Sequence, residues 1–234
     1  MSLIADSAAA AAQLLVAGDS TLGEITRLSL AVSALATAIG AVIGLPLGAW
    51  VALTKSRLRS PLIVVLNAAL GLPPVVIGLV VYLLLSRSGP LGALGWLFTP
   101  MGMAFAQVLL ITPIIAALAR QAIEDAHVGL CDWFSSMGMH TWARMQTLLY
   151  EARFSLVVVL LAAFGRAIAE VGAVMIVGGN IAGATRVMTT TIALETSKGD
   201  LPLALALGAL LVTIVLVVNA AAHVLKNKFE ARNV

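Results

Sequence analysis

Leu28–Leu53 reads LSLAVSALATAIGAVIGLPLGAWVAL and contains no Asp, Glu, Lys or Arg. At about 1.5 Å per residue, a helix of this length crosses the roughly 30 Å of bilayer hydrocarbon. Four more apolar blocks follow it: Pro61–Leu85, Gly102–Ala119, Phe154–Val177 and Leu201–Leu225. They predict an all-α integral membrane bundle of about five transmembrane helices. Composition points the same way. The chain is 61% hydrophobic and 11% charged, with a mean hydropathy of +1.05, where a soluble domain carries about 25% charged residues. Too few charges remain to cover a water-facing surface. One membrane domain, residues 28–225, takes up most of the 234 residues, between an N-terminal extracytoplasmic or interfacial segment, 1–27, and a short tail, 226–234.

The first segment lacks the positive start of a cleavable signal peptide: its first basic residue is Arg27, behind Asp6 and Asp19. The Ala8–Ala12 run reads as a short interfacial helix, too short to span. Orientation follows from the loops. Lys55, Arg57, Arg59, Arg120, Arg144, Arg153, Lys226, Lys228 and Arg232 fall on one side, and Arg27, Arg87, Arg186 and Lys198 on the other. The richer side is expected in the cytoplasm, which puts the N-terminus outside and the C-terminus inside. The net charge of +3 is spread over these loops, so it reads as a topology signal and not as a nucleic-acid patch.

Pro46, the Pro73–Pro74 pair and Pro113 are expected to interrupt three of the spans, since each removes a helical hydrogen bond. The adjacent pair Pro73 and Pro74, beside Gly71 and Gly78, is the strongest helix break. Broken helices at this depth either are packing kinks or line a pathway. The longest polar stretch runs from Arg120 to Arg153 and has room for two short helices with a turn at Gly138. It presents Trp133, Phe134, Met137 and Met139 beside Asp132, Ser135 and Ser136. Large apolar residues on an aqueous loop either meet a partner surface or fold back on the protein's own helix ends.

Arg166 and Glu170 stand i, i+4 within the fourth apolar block. Charges in lipid are costly and face protein or water, and this spacing lets them pair. They form either a structural ion pair or the border of a pathway. Beyond them, Asn180, Thr185, Arg186, Thr189, Thr190 and Thr191 gather amide, hydroxyl and guanidinium groups that suit a tetrahedral oxyanion. The same threonines also suit helix capping. His127, His140 and His223 have no carboxylate or cysteine at metal-ligand spacing, and Cys131 is a lone cysteine, so no metal site is expected. There is no Gly-rich phosphate loop of the Walker type, and ATP hydrolysis is not expected in this chain.

Two motifs carry a family resemblance. Permeases of binding-protein-dependent importers driven by ATP-binding cassettes share a cytoplasmic signature, EAA-x3-G-x9-I-x-LP. With Gly138 as its glycine, Asp132, Trp133 and Phe134 fall on the EAA positions, Leu148 on the isoleucine, and Tyr150 and Glu151 on the LP. The glycine and the spacing match, while the EAA and LP residues differ. The second motif lies in GRAIAEVGAVMIVGGNIAGATRVMTTTIALETSKGD, Gly165–Asp200. It resembles the GEFG-like and G-N-x-x-G-x-T-R motifs of molybdate and tungstate permeases, here Ala169–Gly172 and Gly179–Arg186. LGLPPVVIGLVVYLLLSRSGPLG resembles that family's second span. The forms RAIAEVGAV, GGNI and TRVMTTTIALETSKGD are closer to tungstate permeases.

The resemblance implies a type I importer permease that takes up tungstate or molybdate across a bacterial or archaeal cytoplasmic membrane. It implies a homodimer of this chain, two ATP-binding cassette subunits that hold ATP and Mg, and an extracytoplasmic oxyanion-binding protein. No cofactor is expected in this chain. Asp132, Trp133, Phe134, Gly138 and Leu148 would form the ATPase-coupling region, with a short coupling helix around Asp132–Met139. Arg166, Glu170, Asn180, Thr185, Arg186, Thr189 and Thr190 would border the pathway or gate. Rival readings are a sulfate permease, an ion-coupled secondary transporter and an intramembrane enzyme. Glu170 alone is thin support for ion coupling, and no serine in the spans has a histidine at matching depth.

Overall fold

Helices and one 3-10 turn make up the regular structure, with no strand among the described residues. The computed structural model describes residues 7, 9–13, 20–54 and 56–230, without the side chains of 131, 132, 135, 141 and 225–230. In chain order the helices are α1 (Ser20–Leu53), α2 (Arg59–Leu70), α3 (Pro74–Leu85), α4 (Pro100–Ser136), α5 (Thr141–Glu151), α6 (Arg153–Ile168), α7 (Gly172–Gly178), α8 (Met188–Lys198) and α9 (Leu201–Glu230). The 3-10 turn, Gly92–Leu94, links α3 to α4. Of the alanine-rich run, residues 9–13 are helical, and Ala8 lies outside the described residues. Among the described residues, three helices are long and apolar enough to cross a membrane alone, and the number rises to five if each of two bent pairs, α2 with α3 and α5 with α6, is one span.

Several expected boundaries move. α1 begins at Ser20, ahead of Leu28, because Glu24 and Arg27 sit at the helix end, where charge is tolerated. Pro46 and Pro113 lie inside continuous helices and do not interrupt them. One missing N–H in a long packed helix is tolerated where neighbours re-satisfy the backbone. At Gly71–Leu72–Pro73–Pro74 the break is real: Pro73 is extended (φ −64°, ψ 123°) and Pro74 takes the first turn of α3. Two consecutive prolines remove two donors and push the preceding residues out of the helical region. The expected span Phe154–Val177 is not one helix. α6 stops at Ile168, and α7 begins after the bend at Ala169–Val171.

The expected third span, Gly102–Ala119, continues as helix to Ser136. Its apolar periodicity does not end at Arg120: Ile123, Leu130 and Phe134 remain on the core side, and Arg120 pairs with Glu124 one turn on, at 2.5 Å. Residues 132–136 therefore belong to the last turns of α4, followed by a turn, and not to a separate short helix at Asp132–Met139. α9 likewise runs through residues 226–230, which were read as tail. Residues 231–234 lie outside the described residues.

The chain divides into two compact units. Among the described residues, one comprises those up to 36 with 73–107 and 165–217, and the other those of 37–72 with 108–164 and 218–230. In the second unit α1 and α4 pack closely because Gly40, Gly44 and Gly48 present a side-chain-free stripe. A Cβ on Gly48 would lie 2.6 Å from the Ala116 carbonyl oxygen, and one on Gly44 2.9 Å from that of Thr112. Small residues four apart are a membrane helix-packing device. In the first unit α3 meets α7 the same way: a Cβ on Gly78 would lie 2.7 Å from the Ala173 Cα. A backbone atom cannot rotate aside as a side chain can. Gly78→Val is therefore expected to cost about 3 kcal/mol or more, the upper range for overpacking a dense core. A fall in the midpoint of thermal unfolding, against an unchanged Gly23→Ala control with open space around it, is the check.

Candidate functional site

In the first unit the charged pair is formed. Arg166 donates to Glu170 at 3.0 Å, with the Glu170 side chain buried and the Arg166 side chain 42% exposed. The second Glu170 oxygen accepts the Ala173 N–H at 3.1 Å. This bond satisfies a donor in the first turn of α7 and explains why the chain bends at Ala169–Val171 where continuous helix was expected. The Glu170 carbonyl accepts from Thr189 Oγ1 at 2.8 Å. Gln107, also buried, donates to the Ala167 carbonyl at 2.9 Å, and its Oε1 has no partner. A cavity of about 10 Å³ lies among Ser29, Ser33, Gln107, Glu170 and Thr189, walled by Val32, Met103, Ile168, Val174 and Val187. That is the scale of one water, and the polar lining suits one.

Gln107 and Ser29 were missed as members of this cluster. A lone amide inside the apolar Met103–Ile111 run was the available signal for Gln107. Ser29 donates to the Ile25 carbonyl at 2.8 Å and accepts the Met188 N–H at 2.8 Å, which no local pattern announces.

The expected oxyanion groups divide sharply. Thr185 Oγ1 donates to the Gly178 carbonyl at 2.5 Å and accepts the Ile181 N–H at 3.0 Å. Thr190 Oγ1 donates to Asn180 Oδ1 at 2.9 Å, and Thr191 to the Val187 carbonyl at 2.7 Å. Asn180 itself stands at φ 51° in a turn, beside Gly179 at φ 70°. These side chains fasten the α7–α8 connection to itself, and their hydroxyl protons are engaged there. Arg186 differs. It is half-buried, its Nε is buried without a partner, and it lines a cavity of about 600 Å³ together with Glu24, Arg27 and Leu28. Of the proposed lip, Arg186 retains a donor for an anion, and Arg27 joins it there although the sequence reading used Arg27 only for topology.

In the second unit the end of α4 and the start of α5 meet at a turn. Gly138 takes φ +58°, a conformation that costs glycine nothing, as its position between two helical stretches foretold. Phe134 and Leu148 are fully buried, in a cluster with Ala49, Ala52, Ala119, Ile123, Ala152 and Leu156. His127 stacks on the Phe134 ring at 5.8 Å. Arg144 donates from Nε to the Met139 carbonyl at 2.8 Å and from an Nη to that of Phe134 at 3.3 Å, closing the C-terminal end of α4. Phe134 and Leu148 thus form the base of this region and present no surface. The Asp132 side chain lies outside the described residues. The surface is made by Trp133 at 46% exposure, Met137 at 61%, Trp142 at 61% and Tyr150 at 67%. At Ala152 the chain turns by 71° from α5 into α6.

An apolar chain with several candidate membrane spans, an ion pair that is buried on its carboxylate side, and large apolar side chains exposed at a turn fits a transport subunit. Residues 44–232 match the family of binding-protein-dependent transport system inner membrane components. The chain belongs to that family. As a member of it, this transport-system membrane component resembles several curated permeases. It is 40% identical to a probable anion permease protein of an ATP-binding-cassette transporter from Haloferax volcanii, covering 91% of this chain and 94% of the relative. It is 39% identical to a tungstate uptake system permease protein from Peptoclostridium acidaminophilum, covering 97% and 100%. It is 38% identical to a tungstate uptake system permease protein from Campylobacter jejuni, covering 73% and 71%. The relatives are named as permeases and not as enzymes, and the matching family is one of inner membrane components.

Proposed function

We propose that this chain is the transmembrane permease subunit of an ATP-driven importer that takes up tungstate delivered by an extracytoplasmic binding protein. The observation that carries the substrate is the 39% identity to a tungstate uptake permease over 97% of the chain. Two copies of the chain form one pathway, and two ATP-binding subunits supply ATP and Mg. The membrane is the cytoplasmic membrane of a bacterium or archaeon, with the N-terminus outside and the C-terminus inside, as the distribution of basic residues supports.

The ATPase docks on the turn between α4 and α5. Four large apolar side chains are exposed near a glycine turn on the side expected to face the cytoplasm, Trp133, Met137, Trp142 and Tyr150, and they offer a partner the aromatic anchors that interfaces favour. Phe134 and Leu148 beneath it pass movement into the core of that unit. The Arg166–Glu170 pair belongs to the gate, since an ion pair with one exposed member is positioned to re-pair when the pathway changes state. ATP favours the outward-open state and hydrolysis resets it.

Uptake by vesicles holding this chain, its ATPase and its binding protein tests the reading, comparing tungstate, molybdate and sulfate with and without ATP on the ATPase side. ATP-dependent uptake that prefers tungstate is expected. Preference for another oxyanion would move the substrate within the same mechanism. Uptake that ignores ATP but collapses with the membrane potential would replace the importer by an ion-coupled carrier.

A further inference from the structure

Outside the transport cluster, one cavity gathers basic and hydroxyl side chains. It lies in the second unit where α1 passes into α2, has a volume of about 620 Å³, and is lined by Thr54, Ser56, Arg57, Arg59, Ser60 and His127. Two nitrogens of its lining residues, Arg59 Nε and His127 Nδ1, are buried and have no hydrogen-bond partner. Native proteins leave few such groups unpaired, and each asks for an explanation. The local charge is unbalanced as well. Glu124 alone accepts from Arg59 at 2.7 Å and from Arg120 at 2.5 Å, and Arg57 makes no ion pair among the described residues. Two guanidinium groups thus share one carboxylate, and a third, that of Arg57, has none among the described residues. Hydroxyls of Thr54, Ser56 and Ser60 at the same cavity add further donors.

We propose that this cavity binds a tetrahedral phosphate-type anion, held by Arg57, Arg59 and the His127 Nδ1–H, with the serine hydroxyls at its rim. Arginine is the side chain suited to this geometry, because its fork of donors meets two oxygens of one anion. The chemistry has two sources: the phosphate of an anionic lipid headgroup, or a free oxyanion in the water beside the membrane. Basic pockets at the membrane boundary of a helical protein are a known form of headgroup site. Leu58, Val64 and Val65, exposed at 62%, 64% and 63% on and beside α2, offer acyl chains a surface next to the cavity. His127 also stacks on Phe134, so an occupant here braces the core under the α4–α5 turn.

The test uses the full chain in nanodiscs, read by the midpoint of thermal unfolding, and does not depend on transport. One arm raises the fraction of phosphatidylglycerol in phosphatidylcholine discs. A second arm keeps pure phosphatidylcholine and titrates sodium phosphate. The midpoint is expected to rise in at least one arm: a rise with phosphatidylglycerol alone assigns the headgroup, and a rise with phosphate in neutral lipid assigns the free anion. Arg57→Gln, which removes an exposed side chain, and His127→Phe, which keeps a ring on Phe134, should each weaken the response about tenfold in apparent affinity, the loss of one charge-assisted hydrogen bond. Arg87→Gln, an exposed arginine of the other unit, should respond as the unaltered chain does. No rise in either arm overturns the site. So does a response that Arg57→Gln and His127→Phe leave intact, or one that Arg87→Gln weakens equally.

Discussion

Phe134→Ala is expected to cost about 3–5 kcal/mol of stability, the range for emptying a buried phenylalanine site, while Trp133→Ala leaves the fold within about 0.5 kcal/mol. The two residues are adjacent and their rings lie 5.5 Å apart, yet their environments are opposite. Phe134 is fully buried among alanines and leucines and carries the His127 ring on one side and the Arg144 guanidinium at 5.9 Å on another. Removing it leaves a hole that its neighbours fill poorly, since Ala49, Ala52, Ala119 and Ala152 carry only a methyl group. Phe134→Arg is worse, because it puts a charge where the nearest cation is already Arg144. Trp133 stands half in solvent and loses little on truncation. Its loss falls on docking: a tryptophan at the centre of an interface contributes about 2 kcal/mol or more, roughly thirtyfold in affinity. The check is paired. Unfolding in detergent should separate the variants one way, and binding of the purified ATPase should separate them the other way. Normal ATPase binding by a well-folded Trp133→Ala chain would remove the docking face from the α4–α5 turn.

Glu170→Ala is the second large effect, at about 2–3 kcal/mol of stability with loss of uptake. Two contributions add. The Ala173 N–H loses its acceptor at the start of α7, and a buried unsatisfied donor costs about 1–3 kcal/mol. The Arg166 pair contributes less than a fully buried one, because Arg166 is 42% exposed and solvent screens the attraction. Glu170→Gln separates the two. It retains an oxygen for Ala173 and discards the charge, so it should recover most of the stability. If the pair acts at the gate, Glu170→Gln still lowers uptake at near-normal stability. Uptake equal to the unaltered chain would make the pair structural. An Arg166→Ala, Glu170→Ala double variant should lose little more than Glu170→Ala alone, because the pair is already broken in the single variant.

Where the sequence reading and the structure part, the causes are physical. Local pattern placed the Gly138 turn, because glycine between two helical stretches has one ready use, and it placed the Pro73–Pro74 break, because two missing donors cannot be recovered within one helix. It failed at Pro46 and Pro113, where packing against other helices outweighs a single lost hydrogen bond. It ended the third span at Arg120 by counting charges, although Arg120 pairs with Glu124 one turn on, and Arg59 of α2 reaches the same carboxylate, while the helix continues. It treated Phe134 and Trp133 as alike, since both are aromatic and adjacent. Burial, which separates them, depends on Ala49, Ala119 and Leu148, all distant in sequence.

The sequence by itself determined that the chain lives in a membrane, that it is helical, and that Arg166 and Glu170 stand where they can meet across a single helical turn. Each of these follows from composition or from spacing along one helix. Only the tertiary structure decided that Glu170 also caps α7, that Gln107 and Ser29 join it, that Thr185 and Thr190 are engaged with their own loop while Arg186 is not, and that Arg59 and His127 line one cavity. Those facts join residues up to 159 positions apart, as Ser29 and Met188 are. Contacts of that kind arise from which helix faces pack together, a property of the whole bundle and of no segment of it.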